Sequence, residues 1–231
     1  WDKAMNVELT ESTTIIEVYA EQFRWTARYA GQDNLLGKTD FRFVEPQFNP
    51  LGIVNNEYLK FAIQDKKKKY KRLSKDPLKK DKYGKTNQEK MDVLSNHIKQ
   101  LPSILNEVST DVLAQSKDDK ITREVHLVID QPVLLKFRSQ DVIHSAFLPH
   151  FRVQMNCVPG ITTQFGFTPT KTTAQMKESE GEDFEYILLC NKICGELHWN
   201  MQMKFIVETQ AEYDFWLDSQ ENLETKLLTQ K

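Results

Sequence analysis

At 231 residues, 39% hydrophobic and 28% charged, the chain is long enough for one good core plus an appendage. Its net charge of −2 hides a split: from Lys60 to Lys90 thirteen Lys or Arg face four Asp or Glu, a net of +9 that leaves −11 for the rest. No run of about 18 apolar residues occurs, so nothing in this sequence spans a membrane as a helix, and the basic stretch lacks the interleaved aromatics and motifs of a nucleic-acid site.

In chain order, Ile15 to Gln22 and Phe23 to Tyr29 are rich in β-branched and aromatic residues and predict strands. Gly31 to Gly37 is a polar break. From about Val54 to Lys120 strand signals vanish. Thr86-Asn-Gln-Glu89 has the form of a capping box, with Met91, Leu94, Ile98 and Leu101 following at helical steps. Pro102 is expected to interrupt, and Ile104, Leu105, Val108, Val112 and Leu113 to continue a second stripe. This stretch predicts a helical hairpin packed on the main domain or on a neighbour. Strand signals return at Val125–Ile129, Pro132–Phe137, Val142–Phe147, Phe151–Met155, Thr162–Phe167 and Phe184–Leu189, a spacing that favours a β-sandwich or barrel. Thr209-Gln-Ala-Glu212 is another capping box and opens a closing helix through Tyr213, Phe215, Trp216 and Leu217.

The most specific chemistry lies in Cys190-Asn-Lys-Ile-Cys194-Gly-Glu-Leu-His198-Trp-Asn-Met201, with His144 upstream in Asp141-Val-Ile-His-Ser-Ala-Phe147. Thiolate and thioether donors select copper. Two thiolates can bridge two copper ions, with His144 and His198 terminating one each and Met201 and a loop carbonyl as weak ligands. Two alternatives remain at this point. A Cys190–Cys194 disulfide would explain neither His198 nor Met201, and a Cys2His2 zinc site would leave Met201 idle. Cys157 reads as a small buried hydrophobe, and His97, His126 and His150 as ordinary structural or surface residues. No Ser-His-Asp set, P-loop or GxGxxG run is present.

In these residues the chain resembles the copper A domain of cytochrome c oxidase subunit II, of the bacterial haem–copper oxidase type. The pattern Cys-x3-Cys-x3-His-x2-Met is met without a gap. The likeness extends through Lys136 to His144, Met155-Asn-Cys-Val-Pro-Gly160, Lys204 to Glu208 and Glu21-Gln-Phe-Arg-Trp25. Nitrous oxide reductase shares the ligand spacing but needs a large second domain. The resemblance implies a mainly β, cupredoxin-like Greek-key barrel: 1–53 and 121–208 as the cupredoxin domain, 54–120 as a helical basic insertion, and 209–231 as a C-terminal helix and tail. It implies a binuclear copper centre held by His144, Cys190, the Lys192 carbonyl, Cys194, His198 and Met201. The subunit would do no bond chemistry of its own. It would accept electrons from cytochrome c or a cytochrome domain of alternative complex III and pass them to haem a of subunit I, where oxygen is reduced and protons are pumped. The rival is a copper-binding electron-transfer or chaperone domain outside any oxidase.

Two departures from the family pattern stand out. Family members often carry Glu where Lys192 stands and Asp where Asn156 stands, so a magnesium or manganese site against subunit I loses its carboxylates. The surface Trp of the family's electron-entry stretch is Phe23 here, two residues before Trp25, which suggests an altered or permanently docked donor. The resemblance further implies a transmembrane anchor before Trp1, a residue favoured at the bilayer interface, and a location on the periplasmic face of the inner membrane.

Overall fold

The computed structural model describes residues 9–10, 12–31, 33–45 and 48–225, so the reading of Trp1 lies outside the described residues. The chain forms two compact units. One comprises the residues up to Leu36 with those from Asp118 onward, the other Gly37–Lys117.

The first unit is built of two five-stranded sheets. In chain order its strands are β1 (Thr14–Glu21), β2 (Arg24–Tyr29), β3 (Lys120–Thr122), β4 (Val125–Val128), β5 (Val133–Ser139), β6 (His144–Leu148), β7 (Val153–Cys157), β8 (Thr163–Phe167), β9 (Tyr186–Cys190) and β10 (Gln202–Glu208). One sheet runs β3-β2-β1-β5-β8 and the other β4-β10-β9-β6-β7. β1 pairs antiparallel with β2 but parallel with β5, and β10 antiparallel with β9 but parallel with β4. A parallel pair cannot be closed by a hairpin, so the chain crosses between sheets, giving the half-closed, cupredoxin-like barrel expected from the sequence.

Alternation sets the core. Ile16, Val18 and Ala20 of β1 face inward with Trp25, Ala27 and Tyr29 of β2, against Leu188, Phe205 and Val207 from the other sheet. The opposite face of β1 and β2 is buried as well, and its polar residues are paired. Register puts Glu17 opposite Arg28. Arg28 Nε donates to Glu17 at 2.9 Å and its terminal nitrogen to Asp119 at 3.0 Å, while Arg138 reaches Glu17 at 3.0 Å. Burial would raise the Glu17 pKa, but Arg28 and Arg138 together hold it below the usual carboxylate range.

The second unit is the expected helical hairpin, α1 (Asn56–Leu73) packed on α2 (Asn87–Asn106), followed by a short α3 (Thr110–Ala114). Asn55 caps α1 at 2.8 Å, and the Thr86–Glu89 capping box is present at the start of α2. Pro102 does not interrupt: α2 runs through it to Asn106. The ring removes one backbone bond near the helix end, while burial of Leu101, Ile104 and Leu105 holds the last turns in place. A helix not anticipated from the sequence, α4 (Thr173–Glu180), starts at a Thr172–Gln175 capping box. The closing helix α5 (Gln210–Ser219) begins at the expected Thr209–Glu212 box. Its Trp216 stacks on His126 at 3.8 Å between ring centres.

Candidate metal centre

The site forms where β6 begins and β9 ends. Ala146 of β6 pairs with Cys190 of β9, which brings the start of one strand beside the end of the other. The strand predicted from Val142 begins only at His144, because the Asp141 carboxylate binds the Val142 amide at 2.7 Å and holds a turn there. Residues 191–201 then leave the sheet and return to it. Cys190 N donates to the Met201 carbonyl at 3.1 Å and Asn191 N to that of Ser145 at 2.9 Å, closing the loop at its base. Inside it, His198–Asn200 makes one 3-10 turn, with His198 N on the Gly195 carbonyl at 3.2 Å.

This folding brings the predicted donors together. The Sγ atoms of Cys190 and Cys194 stand 3.8 Å apart. His144 Nδ1 lies 3.8 Å from the Cys190 sulfur and His198 Nδ1 3.5 Å from the Cys194 sulfur. Met201 Sδ is 3.8 Å from Cys194 Sγ, and the Lys192 carbonyl oxygen 3.3 Å from Cys190 Sγ. The Lys192 side chain is exposed, and the loop gathers only its carbonyl. His144, Cys190, Cys194 and Met201 are buried, whereas His198 is partly open.

The donor chemistry fits copper. Both cysteines are free thiols, their sulfurs well beyond the about 2.05 Å of a disulfide. A thioether turned toward a thiol is a soft donor with little use for zinc. Burial, then the neighbouring Cys190 sulfur, pushes the Cys194 thiol up to about 11, so binding a metal there displaces a proton and is favoured as pH rises.

Residues around the donors fix their orientation. Asp141 Oδ1 lies 2.9 Å from His144 Nε2, which selects the Nε2–H tautomer and leaves the Nδ1 lone pair facing the thiols. The other Asp141 oxygen accepts from Gln22 N at 2.7 Å. The Gln22 side-chain amide donates to the Cys194 carbonyl. Trp25 is buried, donates from its indole to the Met201 carbonyl at 3.3 Å, and meets His144 edge-on at 6.1 Å. Phe23 lies against the Cys loop: a Cβ at Gly195, where φ is +146°, would come within 2.7 Å of its ring. Both conformation and space therefore demand glycine there.

Sequence reasoning assigned no roles to Asp141, which meets His144 only three residues on, or to Gln22, whose contacts reach across 119 and 172 residues. It also passed over Ile193, Leu197 and Trp199, which are 87%, 50% and 77% exposed among the ligands. Their placement inside the ligand run was the available signal. His97 meets Phe41 edge-on at 5.7 Å, and His126 sits 2.6 Å from Glu208, both as structural residues. His150 is exposed beside Phe184.

Cys157 is fully buried across from His144, and burial raises its thiol to about 12. That burial suits an apolar filler better than a donor. Cys157→Ala should retain full copper content while costing about 1–2 kcal/mol of stability from the small cavity. Metal analysis paired with urea unfolding would check this, and loss of copper would make it a ligand.

The candidate donors lie within a segment that matches known proteins. Residues 103–209 match the family described as cytochrome c oxidase subunit II, periplasmic domain. The alternative cytochrome c oxidase subunit 2 of Bradyrhizobium diazoefficiens is 27% identical over 214 residues, 93% of this chain and 53% of that protein. Cytochrome c oxidase subunit 2 of Synechocystis is 32% identical over 97 residues, 42% of this chain and 26% of that protein. The chain thus spans about half the length of the first relative and about a quarter of the second. A crystal structure of the periplasmic domain of subunit II of the Bradyrhizobium japonicum oxidase aligns with a TM-score of 0.45 at 16% identity, covering 92% of this chain and 96% of that one. The matched segment, just under half of the chain, contains all six candidate donors, from His144 to Met201, and over it the chain is similar to the periplasmic domain of the cytochrome c oxidase subunit II family.

Proposed function

We propose that the donor cluster is a binuclear copper A centre, held by His144, Cys190, the Lys192 carbonyl, Cys194, His198 and Met201. In this reading it carries single electrons from a cytochrome c-type donor to haem a of subunit I. The observation that carries this reading is the pairing of two thiols 3.8 Å apart with an imidazole Nδ1 beside each. A copper pair held by these residues would supply one-electron chemistry, and donors fixed by the fold would need to move little as its charge changed.

The protein's part is rigidity. Asp141 holds one imidazole in a single tautomer, and the Trp25 and Gln22 side chains brace the carbonyls of Met201 and Cys194. Trp25, in contact with His144 and Met201, and Phe23, lying on the Cys loop, form the route of electron entry. Exposed Ile193, Leu197 and Trp199 offer apolar contact to an electron-transfer partner beside the ligands. Oxygen reduction and proton pumping belong to the partner subunit, and the domain works at the periplasmic face of the inner membrane through an anchored complex. Lys192 and Asn156 supply no carboxylate for magnesium or manganese. A copper chaperone outside an oxidase fits less well, because ligand exchange needs exposed donors and four of these side chains are buried.

Metal content with an EPR spectrum of the chain tests the reading. Two coppers per chain sharing one unpaired electron are expected; a signal from one isolated copper would defeat it. Within that reading Met201→Leu should keep both coppers and shift the reduction potential, because thioether bonds in such sites are long and weak. Complete copper loss in this variant would show that Met201 is a principal ligand.

A further inference from the structure

The tip of the helical hairpin, residues 74–86 with the last turns of α1, carries an unusual surface. From Lys67 to Lys85 there are ten basic residues, nine of them lysine, and two acidic ones, Asp76 and Asp81. All ten basic residues are exposed. Asp81 is turned into the loop. One of its oxygens accepts from Tyr83 N at 2.9 Å and Lys85 N at 3.0 Å, while the other pairs with Lys90 at 2.8 Å. The loop is a built structure: Asn87 N binds the Lys79 carbonyl and Gln88 N that of Pro77, each at 2.9 Å. From this frame Leu78 and Tyr83 project into solvent, each 81% exposed, with the Lys82 ammonium 5.0 Å from the Tyr83 ring centre.

We propose that this tip binds an anionic lipid surface, with Leu78 and Tyr83 entering the headgroup layer and the lysines facing the lipid phosphates. Three physical features favour lipid over an acidic protein. Lysine is depleted at protein interfaces, where flexible and strongly hydrated ammonium groups lose entropy and water. An anionic headgroup layer demands neither fixed geometry nor dehydration, and polybasic segments bind it additively. A tyrosine and an aliphatic side chain held out among lysines match the apolar-below, charged-above character of that layer. The inference is independent of the copper reading, since none of the copper donors lies in this unit.

The test is co-sedimentation of the full 231-residue chain with vesicles of phosphatidylcholine alone or mixed with phosphatidylglycerol, beside binding to soluble polyglutamate. Partition should be at least about tenfold greater onto the anionic vesicles and should weaken with salt, because exposed charges are screened over about 8 Å at physiological ionic strength. The variant K67Q/K68Q/K69Q/K71Q should lose up to about a thousandfold. L78S/Y83S should lose several-fold on vesicles while leaving polyglutamate binding unchanged. All six substitutions are at exposed positions, and unchanged circular dichroism would verify folding. Equal partition onto neutral and anionic vesicles, or none onto either, overturns the proposal. Polyglutamate binding as tight as vesicle binding, with L78S/Y83S altering neither, overturns it in favour of an acidic protein partner.

Discussion

Cys194→Ser should abolish copper binding almost completely. The Cys194 sulfur is the hub of the donor cluster, 3.8 Å from Cys190 Sγ, 3.5 Å from His198 Nδ1 and 3.8 Å from Met201 Sδ. Serine offers a hard hydroxyl that stays protonated, in a pocket whose other sulfur donors select a soft ion. The barrel should be only slightly affected: Cys194 is a buried member of the core cluster, but serine nearly keeps its size and the loop closes through backbone bonds at Cys190 and Asn191. Metal content and visible absorbance, measured with a thermal unfolding curve of the metal-free forms, check both halves. Retention of two coppers with the parent spectrum would eliminate shared thiolates. Matched destabilisation of the metal-free variant would instead make Cys194 a packing residue. The contrast with Met201→Leu is the sharpest internal control, because both sulfurs are buried and near each other and only one is expected to be indispensable.

The second large effect is on stability. Arg28→Ala should destabilise the domain by about 3–5 kcal/mol, because it removes the guanidinium shared by two buried carboxylates and leaves their charge less compensated. Arg28 and its neighbours Glu17 and Asp119 are all 3% exposed or less. Urea unfolding at neutral pH measures the loss, and a value under about 1 kcal/mol, as for an exposed pair, would mean the cluster contributes little. The pH dependence has a definite sign. The folded Glu17 pKa is depressed, so its contribution is present above the unfolded carboxylate value and is lost as pH falls through the folded value. In Arg28→Ala burial acts against one guanidinium fewer, and acid unfolding should begin at higher pH than in the parent.

Much of the barrel was legible because strands announce themselves by alternation and helices by their caps. The capping boxes at Thr86 and Thr209 both formed, each requiring only a hydroxyl and a carboxylate three residues apart. The same rule applied to Thr172 and Gln175 would have revealed α4. Errors came where a local rule was outweighed. Pro102 reads as a break, but the apolar residues around it are buried, and the helix continues through it. Phe151 reads as the start of a strand, but Pro149 and a left-handed Arg152 place it in a 3-10 turn, so β7 begins at Val153.

The candidate donors were legible for a different reason. Five of the six lie within Cys190–Met201, and a short loop leaves few ways to arrange them, so residue type and spacing alone indicated soft-metal chemistry. His144 joins them only because β6 pairs with β9, a contact across 46 residues. The surroundings could not be read in the same way. That Gln22 and Trp25 brace the loop carbonyls, and that Gly195 must yield to Phe23, depend on β1 and β2 lying near the β9–β10 loop. So does the pairing of Glu17 with Arg28, which follows from strand register and not from nearness in sequence. Local sequence determined which elements form and which chemistry the loop can support, since caps, alternation and ligand spacing act over a few residues. Only the tertiary structure decided how the donors are oriented and which charges are buried together, because those energies arise between segments that folding alone brings into contact.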